Sequence, residues 1–293
     1  MASFFSKFKN KSEAVARATP RVISLELSGP ILAETLQTLI TACDEDGGIE
    51  RYIGALKFKT SLFQDAFKDG GDGLSAENFV KLCMFMPTVR RRISTYVEDE
   101  HYPEFLAAIK GLFGAGDIDA RITAFVGKFP QDKKHRWVKD LAAEILHNTD
   151  PNMHPLMLRW VWDRKANSGV IREIWHGEVD SITLDVDDDY EVFMKLREEL
   201  SGFLTTNGIF ADVLYYVDLL CAQSYGNYIS AQGGLYLKAD FSSKEETIVF
   251  TRRLLGLDGV SAKSNLSIPP SIIDGEATNK HSIDNVLRLN GSN

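Results

Sequence analysis

Residues 131–177 contain all four tryptophans of the chain, and this clustering limits the folds that the sequence can adopt. Trp160 and Trp162 lie within residues 156–162, a run with the sequence LMLRWVW that we name the tryptophan segment. Wound as a helix, this segment is apolar on almost every face, and a helix that is apolar all round is normally buried. Because tryptophan also contributes the largest apolar area per residue, we expect the tryptophan segment to be the central helix of the fold.

The composition is typical of a globular protein with a substantial core. The chain has 293 residues, of which 44% are hydrophobic and 25% are charged. Such a length suits one large domain or two small ones. The net charge of −8 and the isoelectric point near 5.3 argue against nucleic acid as a partner, because nucleic-acid binding needs an accumulated positive field.

The cysteine pattern favours a reducing compartment. Cys43, Cys83 and Cys221 are odd in number and far apart, and no C-x-x-C motif occurs. This usage fits three buried thiols better than a disulfide framework or a zinc cluster. No apolar run approaches the ~18 residues of a membrane span, and no signal peptide is visible. The sequence therefore predicts a cytoplasmic protein.

Helical periodicity and capping residues predict the organisation of the chain. About ten amphipathic segments, separated by glycine, proline and asparagine, indicate a single irregular all-α domain over residues 22–257. Ser75 is a predicted helix cap, and a run of four aspartates over residues 185–189 precedes a helix predicted to begin near Tyr190. Acids are favoured at a helix N-terminus, although a metal-binding acidic loop remains an alternative.

The two ends of the chain differ from this domain. Residues 1–21 form a basic segment that we expect to be flexible, and residues 258–293 are polar, aperiodic and predicted to be disordered. Phenylalanines and lysines within residues 1–11 leave open a peripheral contact with an anionic membrane surface.

Glutamate precedes histidine by three positions on several predicted helices. Glu144 with His147 and Glu173 with His176 give the Glu-x-x-His spacing of di-iron and di-manganese helical bundles. Residues three apart share one helical face, so a carboxylate and an imidazole could hold one iron or manganese ion. By periodicity, however, Glu144 lies at the edge of an apolar stripe and the other three residues lie outside such stripes. We therefore expect these pairs to face solvent.

Clustered cations form a second set of candidate site residues. Arg159 is the one strong charge inside the tryptophan segment, so it should be paired; Asp163, four residues on, is the only local acid. The alternative is that Arg159 opens into a cleft and receives an anion or a partner carboxylate. Two basic clusters, Arg90-Arg91-Arg92 and Lys133-Lys134-His135-Arg136, could also contact an anionic partner.

No motif identifies a reaction or a cofactor. Phosphate-loop, dinucleotide-binding, zinc-protease and nucleophile-elbow patterns do not occur in the sequence. The leading hypothesis is therefore a non-enzymatic regulatory or accessory factor that binds another protein and needs no cofactor. The alternative is an iron- or manganese-dependent oxidoreductase built on Glu144, His147, Glu173 and His176.

Overall fold

A computed structural model describes residues 23–45, 47–97, 100–177, 182–236 and 247–257. Within these ranges the chain forms ten α-helices and three short 3₁₀ helices, so the all-α prediction is confirmed. The α-helices are α1 (Gly29–Glu45), α2 (Ile49–Phe67), α3 (Ala76–Cys83), α4 (Tyr102–Lys110), α5 (Ile118–Val126), α6 (Trp137–Thr149), α7 (Val170–Glu173), α8 (Tyr190–Thr206), α9 (Val213–Tyr236) and α10 (Thr247–Leu255). The 3₁₀ helices are Ile93–Tyr96, Gly111–Phe113 and Lys133–His135.

Side chains cap the N-termini of α3 and α8. Ser75 accepts the N–H of Asn78 at the start of α3 at 3.2 Å, as the sequence predicted. Asp189 accepts the N–H of Val192 at the start of α8 at 3.0 Å. Each cap satisfies one backbone N–H that the first turn of a helix leaves without a partner. The aspartate run before α8 is therefore explained in part by helix capping.

Helix α6 is the central element. Eleven of its thirteen residues are buried, and it packs against α2 and α5. Helix α9, the longest, packs against α1, α7, α8 and α10, and closes the other side of the core. These helices form one compact domain around a single apolar cluster.

The tryptophan segment is buried, but the prediction that it forms the central helix is wrong. Its chain runs without regular structure and then turns at residues 159–161. Trp160 is 8% exposed and Trp162 is 1% exposed, and the indole Nε1 of Trp162 donates to the carbonyl of Val186 at 3.1 Å. Apolarity on all sides indicates burial and does not by itself specify a helix. Its backbone groups are instead hydrogen-bonded in turns and to the chain that returns at residues 168–171, as when the N–H of Val170 donates to the carbonyl of Trp160.

Gly169 allows that following stretch to pass close to the tryptophan segment. Its φ is +127°, in a region that disfavours any side chain, and a Cβ atom there would lie 2.7 Å from the carbonyl oxygen of Val161. Only glycine permits such a close approach of two backbone segments.

Several further expectations concern segments beyond the core. Residues 87–92 form turns that lead into the 3₁₀ helix Ile93–Tyr96. The predicted basic segment 1–21, its possible membrane contact through residues 1–11, and the predicted tail 258–293 lie outside the described residues. Among the helices described, none combines the length and apolarity that crossing a membrane requires.

Replacing Trp162 with alanine should cost about 3–5 kcal/mol of unfolding free energy, because the change leaves a large cavity and removes the donor to Val186. Phe210 is 78% exposed and provides the control, so Phe210→Ala should change stability by less than about 0.5 kcal/mol. Urea titrations of both variants measure the difference. A Trp162→Ala protein as stable as Phe210→Ala would contradict the burial of Trp162 in the core.

Candidate functional site

A cleft of about 330 Å³ opens beside the N-terminal end of α6, and we name it the cationic cleft. It combines the chain leading into α6, the turn that follows the tryptophan segment, and the loop before α8. The lining residues are Val126, Phe129, Pro130, Gln131, Asp132, Lys133, His135, Arg136, Lys139, Arg159, Asp163, Lys165 and Asp188.

The charge of this cleft opposes that of the whole chain. Five lysines and arginines line it against three aspartates, whereas the complete sequence has 33 lysines and arginines against 41 acids. A concave surface of one sign concentrates the electric field inside it. The cleft is therefore a local positive site on a negatively charged protein.

Arg159 lies at the cleft and is held from behind by Asp140 of α6. Its Nε donates to both carboxylate oxygens of Asp140 at 3.1 Å, and its Nη2 donates to Oδ2 at 2.6 Å. Asp140 is 1% exposed, whereas the side chain of Arg159 is 26% exposed. Burial tends to lower the pKa of Arg159, but the hydrogen bonds and charge of Asp140 raise it overall, so the guanidinium stays charged.

The predicted pairing of Arg159 is thus confirmed, although its partner is not Asp163. Asp163 instead accepts from Nη2 of Arg136, which lies just before α6. Lys139 is anchored in the same way, since its Nζ donates to Oδ2 of Asp188 at 2.8 Å. Three cations of the cleft are therefore each fixed by an aspartate from another part of the chain.

Two lysines complete the positive charge. Lys133 and Lys165 are exposed at the cleft, and neither forms an ion pair with any residue that the structure describes. Lys133 belongs to the basic cluster over residues 133–136, so the structure brings that cluster together with Arg159. Lys134, its neighbour, is exposed but does not line the cleft.

The other basic cluster lies elsewhere. Arg90 is half-buried in the turns after α3, and Arg91 and Arg92 are exposed. Nη1 of Arg92 donates to the carbonyl of Thr88 at 3.2 Å, so this side chain partly closes its own turn. None of the three arginines lines the cationic cleft.

A hydrogen-bonded chain fixes the loop that carries Lys133. Oδ1 of Asp132 lies 2.7 Å from Nδ1 of His135 and also accepts the N–H groups of Lys134 and His135. The other ring nitrogen of His135 contacts the hydroxyl of Tyr96. The hydrogen bond from His135 holds the pKa of Asp132 below its usual range, so this carboxylate is ionised at neutral pH. These contacts tie the backbone of residues 132–135 to one carboxylate at the edge of the cleft.

The four residues of the metal hypothesis are not brought together. Glu144 and His147 lie on α6, whereas Glu173 is half-buried on α7 and His176 is exposed beyond it. In the part of the chain that the structure describes, no three histidine, cysteine or acidic side chains converge so that they could hold a metal ion. The Asp185–Asp189 stretch is also occupied: Asp185 pairs with Arg164, and Asp188 pairs with Lys139.

The prediction that Glu144 and His147 face solvent is wrong. Glu144 is 1% exposed and His147 is 7% exposed. Periodicity identified the most apolar face of α6, but the remaining faces are covered as well. Each of the two polar side chains is buried because another helix supplies a partner for it.

Glu144 forms a buried ion pair with Lys59 of α2. Nζ of Lys59, which is 3% exposed, donates to Oε2 of Glu144 at 2.9 Å and to the carbonyl of Leu255 at 3.0 Å. Asn148 donates to the same carboxylate oxygen at 3.0 Å. The group thus joins α2, α6 and the end of α10. Cys83 lies in the same core, where burial and the charge of Glu144 raise its pKa, so its thiol is not an activated nucleophile.

His147 lies between two hydrogen-bond acceptors. Its Nδ1 is 2.9 Å from the carbonyl of His154, and its Nε2 is 3.0 Å from Oδ2 of Asp218 on α9. Both nitrogens donate only in the protonated ring. Burial tends to lower the pKa of His147, but the charge and hydrogen bond of Asp218 raise it overall above the ordinary value. Below this raised pKa the protonated ring can donate to both acceptors at once.

Comparison with known proteins gives no relative: no family model matches the chain, and no curated protein or solved structure resembles it significantly.

The His147–Asp218 pair should make stability depend on pH. Because its folded-state pKa exceeds the unfolded value of about 6.5, the stabilisation is fully present below about pH 6.5 and is lost as the pH rises through the folded-state pKa. We expect the unfolding free energy from urea titrations to fall as the pH rises above about 6.5. In His147→Gln this decline should be smaller; an equal slope in both proteins would refute the assignment.

The Lys59–Glu144 pair should show strong coupling. Glu144→Gln leaves the ammonium of Lys59 buried without a carboxylate and should cost about 3–5 kcal/mol. Adding Lys59→Met removes that charge, so the double variant should be more stable than the sum of the single losses implies. Additive losses in a double-mutant cycle would mean that the two side chains do not interact.

Proposed function

We propose that this protein is a non-enzymatic regulatory or accessory factor that binds another protein, and that the cationic cleft receives an acidic segment of that partner. The observation that carries the proposal is the reversal of charge: a concave, predominantly cationic surface on a chain of net charge −8. Complementary charge guides a partner to a surface and fixes its register there.

The anchoring of the cations supports binding. Arg159, Arg136 and Lys139 are held by aspartates, so they lose little side-chain freedom when an anion arrives. Lys133 and Lys165 provide charge that the nearby acids leave uncompensated. Five cationic side chains in one cleft thus combine three fixed positions with two adjustable ones.

An apolar wall supports a peptide as the occupant. Val126, Phe129 and Pro130 line the cleft beside the cations. A free inorganic anion makes no use of such a wall, whereas a peptide can place an aliphatic side chain against it. The volume of about 330 Å³ lies within the range of small binding pockets and suits a few side chains.

Protein is favoured over nucleic acid as the partner because the chain as a whole carries a net charge of −8. A nucleic acid presents phosphates along its whole length and would meet the negative charge of the remaining surface. The cytoplasm is the compartment that we propose, since all three cysteines are buried free thiols.

Charge reversal at Lys133 and Lys165 tests whether the cationic cleft binds acidic peptides. The probe is a fluorescein-labelled library of short peptides with glutamate or aspartate at their central positions. Lys133→Glu combined with Lys165→Glu should weaken binding at least tenfold in fluorescence anisotropy, equivalent to about 1.4 kcal/mol. The affinity of the unmodified protein should also fall as salt is added, because salt screens exposed charges.

The matched control is Lys128→Glu combined with Lys134→Glu. Both lysines are exposed, neither lines the cleft, and the change in net charge is the same. Equal loss in the two double variants would contradict binding at the cleft. Reproducible turnover of any substrate in a metabolite screen would contradict the non-enzymatic part of the proposal.

A further inference from the structure

We infer that the acidic group received by the cationic cleft is a phosphate monoester on the partner protein, a phosphoserine or phosphothreonine side chain. This inference rests on the proposed function and specifies its ligand. It follows from two lysines of the cleft that form no ion pair with a described residue, from the positions of the free donors and from the apolar wall.

The first argument is charge balance. Each of the three aspartates that line the cleft has a cationic or imidazole partner: Asp132 with His135, Asp163 with Arg136, and Asp188 with Lys139. Arg159 is matched by Asp140 behind it. The five lysines and arginines outnumber these four aspartates, and two of them, Lys133 and Lys165, form no ion pair with a residue that the structure describes. A phosphate monoester carries about −1.5 to −2 at pH 7, whereas a carboxylate carries −1.

The second argument is the set of donors that stays free at Arg159. A guanidinium has five N–H groups. Asp140 engages those of Nε and Nη2, and Nη1 forms no hydrogen bond to any described residue. Since Arg159 is partly exposed at the cleft, its remaining N–H groups are available to a ligand. The guanidinium is already oriented, so a bound anion gains a charge-assisted hydrogen bond without ordering a flexible side chain.

The third argument is that the free donors come from three separate places. Lys133 lies in the 3₁₀ helix before α6, Arg159 lies in the tryptophan segment, and Lys165 lies in the turn that follows it. A planar carboxylate is satisfied by one guanidinium fork. A phosphate monoester has three terminal oxygens arranged around phosphorus and accepts from several directions at once.

The apolar wall distinguishes a phosphorylated side chain from free phosphate. Val126 and Phe129 lie in the same cleft as the cations. A residue next to the phosphorylated position can pack against them, and inorganic phosphate cannot. The structure therefore favours a phosphate attached to a polypeptide.

Three fluorescein-labelled peptide libraries test this inference against the full chain. They are degenerate at all positions except the centre, which is serine, glutamate or phosphoserine. We expect the phosphoserine library to bind at least tenfold more tightly than the glutamate library in fluorescence anisotropy, and the serine library to bind least. Inorganic phosphate should compete only at much higher concentration than the phosphoserine library.

Conservative substitutions test whether residues of the cationic cleft cause the preference for phosphoserine over glutamate. Arg159→Lys keeps a positive charge but loses the planar fork, so it should reduce the ratio of phosphoserine to glutamate affinity. Lys133→Gln combined with Lys165→Gln should reduce the same ratio at least fivefold. Lys134→Gln, from the same 3₁₀ helix but outside the cleft, should leave the ratio unchanged. Circular dichroism and thermal melting show whether each variant folds. If Arg159→Lys does not fold, the variant with Lys133→Gln and Lys165→Gln still tests the inference, because both of its substitutions are at exposed positions.

Each outcome decides a separate point. Equal binding of the phosphoserine and glutamate libraries overturns the phosphate inference and leaves the acidic-segment proposal intact. Binding of none of the acidic libraries overturns both. Competition by inorganic phosphate at the concentration of the phosphoserine library means that the ligand is phosphate itself, which also overturns the inference.

Discussion

Helix α6 buries ionisable side chains along one face, and the positions of its neighbours depend on them. Asp140, Glu144 and His147 follow the spacing that places residues on one helical face, and all three are buried. A buried charge without a partner costs several kcal/mol. The partners are Arg159 from the tryptophan segment, Lys59 from α2 and Asp218 from α9. Three different parts of the chain must therefore meet α6 at particular places.

This arrangement constrains register more strongly than apolar contact does. Apolar side chains can slide past one another at little cost, since dispersion and burial have no preferred direction. Nζ of Lys59 also donates to the carbonyl of Leu255, so a shift of α2 along α6 would leave a carbonyl as well as two charges without a partner. The position of α6 in the core also determines the geometry of the cleft, because Arg136 and Lys139 lie at the start of the same helix.

The sequence alone predicted those features that depend on neighbouring residues in the chain. The all-α class follows from periodicity, the caps at Ser75 and before α8 follow from residue type, and the burial of Trp160 and Trp162 follows from apolarity. The conformation of the tryptophan segment could not be obtained in this way. A short run that is apolar throughout has no periodicity that distinguishes a helix from a buried turn, and here Gly169 permits the close backbone approach.

The polar contacts could not be predicted because they join distant parts of the chain. Lys59 and Glu144 are 85 positions apart, and His147 and Asp218 are 71 positions apart. The hydrophobic pattern of α6 compares the faces of one helix and contains no information on what covers each face. The same limit applies to the cleft: the run of arginines 90–92 is as basic as residues 133–136, and only the tertiary fold places one of the two runs beside Arg159.

Arg159 shows why a structural role and a binding role need not exclude each other. In the sequence, the two interpretations of this residue were alternatives, because pairing would consume its charge. In the structure, Asp140 uses Nε and Nη2 and leaves the rest of the guanidinium at the cleft. A guanidinium fixed in this way has already lost its conformational freedom on folding, so a ligand does not have to order it. The buried aspartate that pairs with Arg159 in the core is thus also the group that orients its guanidinium at the cleft, where we propose that an anion binds.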